Sequence, residues 1–193
     1  MTFSLQFSRL GLVACLLFLS ELSLAEALKV KPVLNSNPER VLFVGNSYYY
    51  YNNSLHNHVS DLVKASDAAL GARLQFKSST IGGAALSHHN MAHLTEPGRI
   101  GVTQPFQWVV MQGGSAEPLS QSRREIFRQT AMTHAEMVKA RGGQVALYMT
   151  HAYVKPHRLA SPQNITATES MYVEVGNEIG ALVIPVGLAF REA

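Results

Sequence analysis

Val41-Leu42-Phe43-Val44 is an unbroken apolar run that ends at Gly45. A run of this length bounded by a turn residue suits a strand buried on both faces. The pattern returns at Trp108-Val109-Val110-Met111, before Gly113-Gly114, and again over Gln144 to Met149 and Ala181 to Val186. A more polar strand is expected over Arg73 to Ser78. Pro185 falls at the end of the last run, where a missing N–H is tolerated. Between these runs the apolar residues change to helical spacing. Leu55 to Leu70 carries Leu55, Val59, Leu62, Val63 and Ala69 on one side. Ser122 to Ala140 carries Ile126, Phe127, Thr130, His134, Met137 and Val138, and Gly142-Gly143 stops it. Ser161 to Gly180 is expected to be helical as well. Strands alternating with helices give a parallel sheet with helices on both faces. The expected fold is therefore α/β: a three-layer α/β/α sandwich around a parallel five-stranded sheet.

The chain has 193 residues, 47% apolar and 15% charged, which fits one globular domain and excludes a disordered one. Its net charge of +3 is scattered, and the Arg123-Arg124 pair lacks interleaved aromatics, so no nucleic-acid partner is expected. The first segment reads as a leader. Met1 to Arg9 carries one positive charge, Leu10 to Leu19 is apolar, and Ser23-Leu24-Ala25 places small residues at a cleavage site. This is the layout of a secretory signal peptide over 1–25, with a domain over 26–193 and a secreted or periplasmic product. Leu12-Val13-Ala14-Cys15 offers a lipoprotein alternative, but the apolar run continues past Cys15, which favours simple export. Membrane contact is expected only through this leader or a lipid on Cys15. Cys15 is the single cysteine. Cleavage after Ala25 leaves no cysteine for a disulfide, a nucleophile or a metal site.

In open parallel sheets, ligands bind outside the carboxyl ends of the strands. That rule selects Gly45-Asn46-Ser47, Gln112 to Ser115, and Thr150-His151, with Gly82-Gly83 in the loop of residues 80–87 after the second strand. Ser47 has two readings: a helix cap, the commoner use of serine in this position, or a nucleophile at a tight turn. Gly82 and Gly83 allow a backbone N–H to approach a reacting oxygen. Gln112 and Ser115 offer side-chain donors on the same edge. His89 and His93 are four apart, but no third ligand accompanies them, so no metal is expected. Nothing marks a flavin or phosphate loop, and no cofactor is expected. The Tyr48 to Tyr51 run either lines a pocket near Ser47 or packs the start of the helix.

The segment Arg40-Val41-Leu42-Phe43-Val44-Gly45-Asn46-Ser47 resembles the first block of the SGNH (GDSL-like) hydrolases, in the variant with asparagine before the serine. YYYYNNSL (48–55), Gly82-Gly83-Ala84 with His88 and His89, Trp108 to Gln112, and Pro185 to Ala189 resemble one branch of that superfamily. The resemblance spans roughly residues 40 to 190. It implies the flavodoxin-like SGNH fold and hydrolysis of small acyl esters, carbohydrate acetyl esters among them. It makes Ser47 the nucleophile of an acyl-enzyme. Gly82 or Gly83 matches the second-block glycine, whose N–H joins that of Ser47 in an oxyanion hole. The third block is Gly-x-Asn in the family; here Gly113-Gly114-Ser115 has serine in the asparagine position. Gln112, one step earlier, is favoured as the third donor because its amide can donate as asparagine does. Asn46, Ser115 and His151 are expected substrate contacts. The family's last block, Asp-x-x-His, does not occur: Asp61 and Asp67 are the only aspartates, both in the first expected helix. The expectation is a truncated chain without its C-terminal helix; His151 is the one histidine to consider as a substitute base, although a surface position is the commoner reading for it. The alternative function is a non-catalytic or inactive binding domain.

Overall fold

Successive residues of the first apolar run face opposite layers. In the computed structural model, which describes residues 27–31 and 37–193, strand β1 spans Arg40–Gly45. Its Leu42 and Val44 enter one core, and its Val41 and Phe43 enter another on the opposite face. Burial on both faces explains why the run has no polar interruption. Strands β2 (Gln75–Thr80), β3 (Trp108–Met111), β4 (Gln144–Tyr148) and β5 (Leu182–Ile184) complete the sheet. All pairings are parallel, in the order β2-β1-β3-β4-β5. The chain leaves β1 towards one edge and returns to β3 on its other side. The crevice at this reversal lies beyond the ends of β1 and β3.

The helices are α1 (Ser47–Tyr50), α2 (Leu55–Ser66), α3 (Ala68–Gly71), α4 (Met91–Thr95), α5 (Gln121–Lys139), α6 (Asn164–Ile179) and α7 (Val186–Glu192). Short 3₁₀ turns occupy Leu86–His88 and Glu117–Leu119. The two layers differ in thickness. On one face, Phe127, Ala131 and Val138 of α5 and Met171, Tyr172 and Val175 of α6 are buried against the sheet. On the other, α2 buries no residue fully, and an apolar groove of about 340 Å³ opens beside Phe43, Val63, Phe76, Trp108 and Val110.

Several boundaries differ from the sequence reading for local reasons. The expected helix over Leu55 to Leu70 divides at Asp67, whose carboxylate accepts the Leu70 N–H at 2.9 Å and caps a new turn. Leu62, counted on its apolar stripe, is 71% exposed. The second strand starts later, because Arg73 N–H closes a turn on Leu70 O, and it runs to Thr80 because Thr80 pairs with Gly45. The loop of residues 80–87 ends in the turn at Leu86, and α7 follows β5 directly, capped by Pro185. The leader over 1–25 and the lipidation alternative at Cys15 lie outside the described residues. No helix among the described residues is long and apolar enough to cross a membrane.

Candidate active site

The turn after β1 assigns separate tasks to Asn46 and Ser47. Asn46 is the cap: its Oδ1 accepts the Tyr48 N–H at 3.2 Å, which leaves Ser47 as the first residue of α1. Asn46 is 4% exposed, and its amide donates to Ala84 O at 3.0 Å and Gly113 O at 3.4 Å. It therefore joins the loops that follow β2 and β3. Ser47 is half-buried on the wall of a cleft of about 580 Å³. No described side chain hydrogen-bonds its hydroxyl.

Gln112 occupies a different place from the one expected of an oxyanion donor. It is 1% exposed and does not line the cleft. Its amide nitrogen donates to Asn46 Oδ1 at 2.9 Å and Gly113 O at 3.0 Å, and its Oε1 accepts the Asn46 N–H at 3.2 Å. Both amide hydrogens are thus engaged, so Gln112 braces the turn after β1. A Cβ on Gly45 would lie 2.5 Å from Gln112 Oε1, so this close approach needs glycine at 45.

The cleft brings together Asn46, Ser47, Gly83 and Ser115 from the expected set, with Tyr48, Ser87, His88, Glu117, Arg123 and Tyr153. Gly83 has φ of +69°, a conformation that favours glycine, and it faces the cleft where Gly82 does not. Ser115 Oγ lies 2.6 Å from Tyr153 Oη, and the Tyr153 ring stacks on His157 at 4.0 Å. The Gly113 and Gly114 N–H groups are already engaged, the first by Tyr172 Oη at 3.0 Å and the second by the Glu117 carboxylate.

His151 lies outside the cleft. Its ring contacts Tyr48 at 4.5 Å and Phe190 at 5.1 Å between centroids, and it borders a second, apolar cavity of about 370 Å³. Tyr153 lines both spaces. Partial burial lowers the His151 pKa and favours the neutral ring. His88, on the cleft wall, accepts the Ala85 N–H on Nδ1 at 3.3 Å. With Nδ1 accepting, Nε2 is the donor nitrogen of this ring.

Glu117, His134 and His89 are buried, and Glu117 alone among them drew no notice in the sequence. Glu117 is 5% exposed, and burial pushes its carboxyl up to about 7. His134 is 7% exposed, and burial, with His89 adding a smaller push, brings it down to about 4. His89 is buried beside the nucleophile turn, and desolvation lowers its pKa too. His93 is exposed on α4, so the spacing of His89 and His93 makes no pair. Among the described residues no three His, Cys, Asp or Glu side chains cluster as a metal site would require.

No protein-family model matches the chain, and no curated protein matches it. Solved structures do. The lipase/acylhydrolase from Enterococcus faecalis is 21% identical, with 80% of each chain covered and a TM-score of 0.57. The SGNH-hydrolase family esterase AlinE4 is 14% identical, with 79% of this chain and 78% of that chain covered and a TM-score of 0.59. A catalytic mutant of Axe2, an acetylxylan esterase from Geobacillus stearothermophilus, is 16% identical over 80% of this chain and 78% of that chain, with a TM-score of 0.59. The chain has the SGNH-hydrolase fold.

Proposed function

We propose that the chain is a serine esterase in which the Ser47 hydroxyl attacks a small acyl ester and the resulting acyl-enzyme is released by water. One observation carries the reading: a single cleft collects Ser47 from the end of β1, Gly83 from the loop after β2 and Ser115 from the loop after β3. An attacking hydroxyl with donors around the developing oxyanion is the arrangement that acyl transfer needs. The N–H groups of Ser47 and Gly83 and the Ser115 hydroxyl are the donors in this reading. Ser115 takes the place first given to Gln112, because Tyr153 can donate to Ser115 Oγ and leave its proton for the substrate. His151 is the base: it is held neutral, and only the Tyr48 ring contact links it to the turn that carries Ser47. The cleft's hydroxyls suit an acyl group carried on a carbohydrate, and the fold shared with an acetylxylan esterase supports that substrate class. Export through residues 1–25 belongs to the same proposal; N-terminal sequencing of the secreted product should begin at Glu26, and a start at acylated Cys15 would replace it.

A second reading is a carbohydrate-binding domain without turnover. It is favoured by the Ser47 hydroxyl having no partner among the described residues. A fluorophosphonate probe separates the two. Under the esterase reading it labels the wild-type protein and leaves Ser47→Ala unlabelled, and p-nitrophenyl acetate hydrolysis disappears with the label. A wild-type protein that is folded by circular dichroism yet neither labelled nor hydrolytic overturns it.

A further inference from the structure

We propose that Glu117 is a positioning residue for this reaction: its buried carboxyl ties the loop after β2 to the loop after β3 and so fixes the distance between the two walls of donors that flank Ser47. The proposal rests on the esterase reading of the cleft. Two loops that leave neighbouring strand ends have no reason to keep a constant separation unless something joins them. Asn46 joins them near the nucleophile, through Ala84 O and Gly113 O. Glu117 meets them again further along, where Oε2 accepts the Gly114 N–H and the Leu86 N–H lies close enough to the carboxyl to favour its charged form. Gly83 lies before the first pair of anchor points and Ser115 lies just after the second.

The surroundings are shaped to this carboxyl. A Cβ on Gly113 would come within 2.5 Å of Glu117 Oε2 and 2.8 Å of the Phe127 ring. A Cβ on Gly114 would come within 3.3 Å of Ala84 O, so the two loops pack backbone against backbone where Glu117 holds them. The other carboxyl oxygen, Oε1, is buried without a partner among the described residues. An unpartnered buried oxygen is costly, and a purely structural role would be filled as well by an apolar side chain. Tyr172 from α6 interacts with it electrostatically, Arg123 and His88 line the same cleft, and among the described residues no ion pair joins any of them to it. With its pKa lifted by burial, the carboxyl carries its proton on the free Oε1 over the acid side of neutrality. Oε2 then remains an acceptor in both states, so the tie does not depend on ionisation.

The experiment compares Glu117→Met and Glu117→Gln with wild type in p-nitrophenyl acetate hydrolysis, with thermal melts of each. Methionine fills the space without an acceptor, and glutamine keeps one. The expected result is a kcat about 10- to 100-fold lower for Glu117→Met with KM within about threefold, the scale of losing a group that orients a catalytic one. Its melting temperature should stay near that of wild type, because methionine removes the unpartnered Oε1 along with the acceptor of the Gly114 N–H. Glu117→Gln should return kcat to within about threefold of wild type. A methionine variant with wild-type kcat overturns the proposal, as does a glutamine variant as impaired as the methionine one. If Glu117→Met does not fold, Glu117→Asp decides: its shorter arm should lower kcat where glutamine does not, and the reverse order overturns the proposal. Absence of hydrolysis in wild type together with absence of Ser47 labelling would instead mark failure of the esterase reading.

Discussion

At the β1–β3 side of the cleft, Asn46 is fixed by hydrogen bonds to Tyr48, Ala84, Gly113 and Gln112, and Gln112 is itself buried and fully engaged. Past the end of β4 and outside the cleft, His151 is held among the described residues by tilted ring contacts with Tyr48 and Phe190, beside an apolar cavity. Hydrogen bonds fix direction as well as distance, whereas ring contacts tolerate sliding and tilting. The first wall can therefore hold donors in place before substrate arrives, which is how electrostatic stabilisation avoids reorganisation during reaction. The second wall can shift. On the proposed esterase reading, the contrast teaches that charge stabilisation is built in, while the base sits where side chains can adjust.

The sharpest test of the rigid wall is its proposed nucleophile. Ser47→Ala should lower kcat on the order of 10⁴-fold in the p-nitrophenyl acetate assay while circular dichroism stays native, as for loss of a triad member. Next comes Gln112→Leu. It deprives Asn46 Oδ1, the Asn46 N–H and Gly113 O of a partner at once. Asn46 Oδ1 keeps the Tyr48 N–H and Gly113 O keeps the Asn46 amide, so the Asn46 N–H alone is left unmatched, and urea denaturation should show a loss of about 1–3 kcal/mol. A nucleophile turn displaced by about 1 Å should also lower kcat roughly 10²-fold. A Gln112→Leu protein with native stability and activity would break the comparison, because the wall would then not depend on its hydrogen bonds.

The strand ends that build this wall were legible because β1, β3 and β4 are buried on both faces and therefore read as apolar runs stopping at turn residues. The position of Ser47 follows from that alone. The role of Gln112 did not, and the reason is parity. Its N–H still donates to Val44 O at 2.8 Å, so the residue continues the strand ladder past Met111. Period-2 alternation then sends its side chain to the Val110 face, between the sheet and Tyr49, and not out over the strand end. Ladder length is a property of two strands, and a single apolar run does not disclose it. Glu117 was invisible for a similar reason: a carboxylate between small residues reads as surface until Gly113 and Phe127 close over it. His134 did leave a signal, since it shares the α5 stripe with the buried Phe127 and Val138. Ile126 shares that stripe on paper but is 51% exposed and lines the cleft.

A smaller effect tests the seam between the two walls. Tyr153 touches both spaces and its hydroxyl meets Ser115 Oγ at 2.6 Å. Tyr153→Phe keeps the ring stacked on His157 and removes that hydrogen bond. A net hydrogen bond contributes about 1 kcal/mol, so kcat should fall about fivefold with little change in stability. Steady-state kinetics measure it. A fall as large as that of Gln112→Leu would show that the flexible wall is as tightly coupled to the chemistry as the rigid one.

The smallest expected effect is a cancellation, and it arises because the rigid wall and the helix behind it bury ionisable groups of opposite kind. Glu117 is raised from 4.5 to about 7. Its contribution to stability is fully present below the unfolded value and is lost as pH rises through the folded one. At about 1.4 kcal/mol per pKa unit, the loss is on the order of 3 kcal/mol. His134 is lowered from 6.5 to about 4. Its contribution is fully present above the unfolded value and is lost as pH falls through the folded one, again on the order of 3 kcal/mol. Between the two unfolded values, 4.5 and 6.5, the slopes oppose each other and nearly cancel. Urea denaturation of wild type should therefore give a nearly flat contribution from this pair across that window. Glu117→Gln removes one slope, so stability should now rise with pH there by roughly 2–3 kcal/mol. His134→Leu removes the other, and stability should fall with pH by a similar amount. Parallel profiles for wild type and both variants would show that neither group titrates differently in the folded protein. The rigid wall would then owe its order to hydrogen bonds alone, with no ionisable group held against its preference.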